Sequence, residues 1–69
     1  MLTIDQVRAS VREIRKVAES GDNEVAHSKE DELHQSVLDA IAKGECENPQ
    51  ECARIAIKTL GFKFHRWMA

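Results

Sequence analysis

Apolar residues recur at helical spacing in three separate runs along this chain, and turn signals divide the runs. In the first, Ile4, Val7, Val11, Ile14 and Ala18 form a stripe of three- and four-residue steps that Val17 widens. Thr3 suits the N-cap, Asp5 lies in the first turn where the helix dipole favours an acid, and Ser20-Gly21 supplies a stop. The spacing predicts a helix over 4–20. The second row holds Val25-Ala26, Leu33, Val37, Ala40 and Ile41, with Leu38 on its flank. Asp22 serves as its cap, Glu24 lies in its first turn, and Lys43-Gly44 closes it, which predicts a helix over 22–43. A later start at Ser28, with Asp31 as a capping-box-like partner, is the alternative; the early start takes in Val25 and Ala26. The row is interrupted at Lys29-Glu30. Either that turn faces solvent or Lys29 lays its aliphatic stem over the seam.

The third run opens on Asn48-Pro49-Gln50-Glu51, the sharpest start signal in the chain. Asn stands at the N-cap, Pro at the first helical position, and Glu at the third, from which it reaches back to the cap. A helix over 49–60 follows, with Ala53, Ala56, Ile57 and Leu60 on one stripe and Cys52 and Ile55 widening it. So broad an apolar surface is expected to be sandwiched between the first two helices and the tail. That tail, residues 62–69, holds all the aromatic side chains. Phe62, Phe64 and Trp67 are expected to fold back and close the core, since each buried ring gains a large apolar area. The fold class is therefore all-α: one three-helix domain over residues 1–69.

Length and charge change this picture in two ways. A chain of 69 residues buries too little surface to be comfortably stable alone. With a wide stripe on helix 1, this favours a homo-oligomer, most simply a dimer. Net charge is −2, but residues 1–18 carry +2, residues 19–51 carry −8 and residues 52–69 carry +4. The short Gly21-Asp22 link implies an antiparallel hairpin. There, the basic row Arg8, Arg12 and Lys16, with Arg15 beside it, is expected to lie along the acids of helix 2 and be neutralised. Nucleic-acid binding by Arg8, Arg12, Arg15 and Lys16 thus ranks below protein contacts. No run is long and apolar enough for a membrane, no export signal opens the chain, and two cysteines without one point to the cytoplasm with free thiols.

Candidate chemistry is sparse. His27, Asp31 and His34 share one helical face, and Asp31-Glu32-Leu33-His34 has the acid-x-x-His spacing of helical carboxylate metal sites. Such sites need matching ligands on facing helices, and helix 1 offers only Asp5 and Glu13. A solvated acidic face is the better reading, with no cofactor. Cys46, between Glu45 and Glu47, reads as an exposed loop thiol, and Cys52 as a small core residue. A helix-turn-helix reading of helices 2 and 3 fails because the would-be reading helix opens with Glu47 and Glu51. No phosphate-binding loop or nucleophile motif is present, so a non-enzyme is expected.

One resemblance adds to this. Gly21-Asp22-Asn23-Glu24, Ala26-His27-Ser28-Lys29-Glu30-Asp31, Val37-Leu38, Ala40-Ile41-Ala42, Gly44 and Phe64-His65-Arg66-Trp67-Met68-Ala69 follow a GDxE…AHSxED…VLxAIAxG…FxRWxA pattern. It resembles small early proteins of lambda-like temperate phages and prophages. The likeness covers about two-thirds of the chain, from Gly21 onward. It implies a protein of the infected host's cytoplasm acting through contacts with a host or phage protein, and it brings no catalytic residues. Glu30, Asp31 and His34, on the acidic face of helix 2, are the expected contact residues.

Overall fold

The computed structural model describes residues 1–66 and has the all-α architecture that the periodicity predicts. Helix α1 spans Ile4–Glu19, α2 Asn23–Ala42 and α3 Pro49–Ala56, and α3 runs on into a 3₁₀ turn, Ile57–Gly61. The helices pack pairwise into a three-cornered bundle. Their starts follow local chemistry. Thr3 and Gln6 form a capping box on α1, Asp22 accepts from the Val25 N–H, and Asn48 accepts from the Glu51 N–H. The early start of α2 is thus the one the chain adopts. Glu51 does not reach back to its cap; it is held by Arg54 one turn on. Gly21 (φ +88) and Gly44 (φ +69) make the left-handed turns that end α1 and α2.

The core gathers Val7, Val11 and Ile14 from α1, Leu33 and Val37 from α2, and Cys46, Cys52, Ile55 and Ala56, with Phe62 packed against it. Cys46 is therefore not the exposed loop thiol expected of it. Leu2 N–H donates to the Glu45 carbonyl and Glu47 N–H to the Leu2 carbonyl, both at 2.8 Å, which makes an isolated parallel bridge. In that extended stretch side chains alternate, so Glu45 and Glu47 point out and Cys46 points in. Helix α3 also departs from expectation. Its Cys52–Ile55–Ala56–Thr59 side is buried, but Ile57 and Leu60 lie open on the other stripe, so the helix is not sandwiched. Of the tail, Phe62 is half-buried against the core and under the Arg15 guanidinium (5.1 Å), and Phe64 is half-buried under that of Arg66 (3.9 Å); Trp67 lies outside the described residues.

Candidate functional site

The acidic side of α2 does not form one solvated face. Glu30 is 3% exposed, on the buried stripe between Ala26 and Leu33. Its carboxylate takes a two-pronged contact from Arg66, Nε to Oε1 at 2.8 Å and Nη2 to Oε2 at 2.9 Å. Arg66 also donates to the Thr59 carbonyl (2.8 Å) and the Phe62 carbonyl (3.3 Å). The turn at Lys29-Glu30 thus does not face solvent: an ion pair fills it at Glu30, while Lys29 is half-buried at the α1–α2 seam beside Ile14 and Leu33 and meets Glu13 of α1 at 2.9 Å. Burial alone would push the Glu30 carboxyl up. Hydrogen bonds from Arg66 and Thr59, with the charges of Arg66 and His34, outweigh it and hold the group below the usual carboxylate range.

His34 faces the same corner. Its Nε2 lies 3.0 Å from Thr59 Oγ1 and 3.2 Å from the Ala56 carbonyl oxygen. Asp31 stays exposed and meets His27, Nε2 to Oδ2 at 3.5 Å. The three expected contact residues are therefore split: Asp31 outside, Glu30 buried, His34 half-buried and turned inward. The metal alternative on His27, Asp31 and His34 loses its geometry for the same reason. No group of three or more potential ligands stands together among the described residues. Cys52 donates its thiol to the Glu47 carbonyl at 3.1 Å; burial first, then the neighbouring Cys46 thiol and acids, push it up to about 11, so it stays protonated near neutrality.

Two surfaces remain. The first is the basic row. Arg8, Arg12 and Arg15 do not lie along the acids of α2. They line a groove of about 300 Å³ with Arg54 and Lys58 of the α3 side, floored by Val11 and Ile55. Among the described residues Glu51 is the one acid lining it, and Arg54 holds that carboxylate. The hydrogen bond from Arg54, then the charges of Arg54, Arg8 and Lys58, keep Glu51 below the usual carboxylate range. Lys16 is exposed but does not line the groove. The expected neutralisation fails because the Arg residues sit on the α3 side of α1, while α1 meets α2 through Glu13 and Lys29, with the signs reversed.

The second surface is apolar. Leu38 is 68% exposed, Ile57 58% and Leu60 61%, around a groove between α2 and α3 completed by His34, Val37, Ala53 and Ala56. It was legible only as surplus: the sequence pairs Leu38 with no stripe and gives α3 more apolar width than one neighbour covers. No helix among the described residues is long and apolar enough to cross a membrane. No protein family, curated protein or solved structure matches the chain.

Proposed function

We propose that this chain is a small non-catalytic interaction protein that works as a homodimer, closed across the apolar groove between α2 and α3. The observation that carries this is the exposure of Leu38, Ile57 and Leu60 side by side on one concave surface. A second copy is the fitting occupant because the groove complements itself. Its α2 wall offers a knob, Leu38, and its α3 wall offers a shallow place at Ala53 and Ala56. A two-fold axis along the groove sets each α2 against the partner's α3 and each Leu38 against the partner's alanines.

The reading also answers the size problem, since a partner subunit gives a short chain the buried area it lacks. The likeness of residues 21–69 to early proteins of lambda-like phages supports a role in a phage or prophage, modulating a host or phage process by protein contacts. Analytical ultracentrifugation decides the dimer. The wild type should sediment as a dimer in the micromolar range, and Leu38→Asp should sediment as a folded monomer with unchanged helical circular dichroism. A wild type that stays a folded monomer up to about 100 μM, where even weak association is populated, would overturn it.

A further inference from the structure

We infer that the groove between α1 and α3 binds the phosphate backbone of a nucleic acid. Arg8, Arg12 and Arg15 form one wall, and Arg54 and Lys58 the other. All five are exposed, and the single acid among them is already held by Arg54. Cations crowded on one face repel one another, and an extended anion relieves that repulsion. The row is extended rather than a pocket. From Arg8 to Arg15 it runs about 10 Å at helical rise, the axial length of about three nucleotides of a duplex strand. Past Arg15 the surface reaches Lys63 beside Phe62, where Glu19 brings in a second acid. Guanidinium forks suit phosphate oxygens, and four of these five cations are arginines. The inference stands apart from the dimer, because α1 lines no part of the apolar groove.

Binding of the purified full chain to a labelled DNA duplex, and to its single strand, by fluorescence anisotropy tests this. With Arg8, Arg12, Arg15 and Lys58 each meeting one phosphate, duplex affinity should fall about 150-fold between about 50 and about 200 mM salt, and single-strand affinity about 50-fold. The two arms thus tell which form is the ligand. Arg12→Ala with Lys58→Ala should reduce the duplex salt response to about 12-fold and weaken binding at low salt. Lys29→Ala with Lys43→Ala removes the same charge from α2 and should leave binding unchanged; circular dichroism confirms that both variants fold. Three outcomes would each overturn the inference: neither DNA binds at low salt, the two double variants lose equally, or poly-glutamate competes better than DNA does.

Discussion

Two side chains of α2, eight positions apart, occupy the places that polarity would assign to each other. Glu30 is buried, and Leu38 stands in water. The comparison teaches that a side chain's place is decided by what meets it and not by its own polarity. Glu30 meets a guanidinium that satisfies both of its oxygens. Leu38 faces the gap between α2 and α3, where Ile57 and Leu60 are exposed as well. Leu33 supplies the control on the same helix, since it is the same residue type as Leu38 and is 6% exposed.

The largest effect should come from that control. Leu33→Ala should cost about 3 kcal/mol in urea unfolding, as a buried cavity does. Leu38→Ala, measured at a concentration where the chain is monomeric, should stay within about 0.5 kcal/mol. Equal losses would erase the contrast between the two leucines. Next comes Arg66→Met, which leaves Glu30 buried without its partner. It should cost about 2–3 kcal/mol, at the low end because 28% of the Arg66 side chain still sees water. Adding Glu30→Met should recover most of that loss, and a double-mutant cycle with no coupling would show that the pair is incidental.

The smallest effect is in acid. The folded-state pKa of Glu30 lies below its unfolded value, so the folded state holds fewer protons as pH falls. Its stabilisation is complete above the ordinary glutamate range and is lost as pH drops through the folded value. Glu30→Gln should therefore flatten the acid side of the stability–pH curve. A curve of unchanged shape would place the acid sensitivity in other carboxylates.

How much of this was legible in the sequence differs between backbone and surface. The helix starts rest on nearby residues, so Thr3, Asp22 and Asn48 announced them. The stripe Val7–Val11–Ile14 and the row Ala26–Leu33–Val37 were legible because each repeats within its own helix. Glu30 showed only as a fault in such a row. Its resolution depends on Arg66, distant in sequence and on no periodic element, so spacing could not connect the two. Thr59 did carry a signal, falling on the stripe of Cys52, Ile55 and Ala56, and it is fully buried there. The neutralisation of the basic row was misread for a related reason. A hairpin link says which helices are neighbours, but not which side of α1 each neighbour takes, and Arg8, Arg12 and Arg15 lie on the α3 side. Cys46 was misread because its burial depends on Leu2, across the whole of the helical hairpin.

The Glu30–Arg66 pair also sets a timetable. The two residues are 36 positions apart, so a ribosome makes Arg66 about 2–7 s after Glu30. Until the arginine is in place, burying Glu30 against α1 would strand a carboxylate without a cation. Closing the core over Glu30 before the arginine is in place therefore carries a penalty that the finished chain does not.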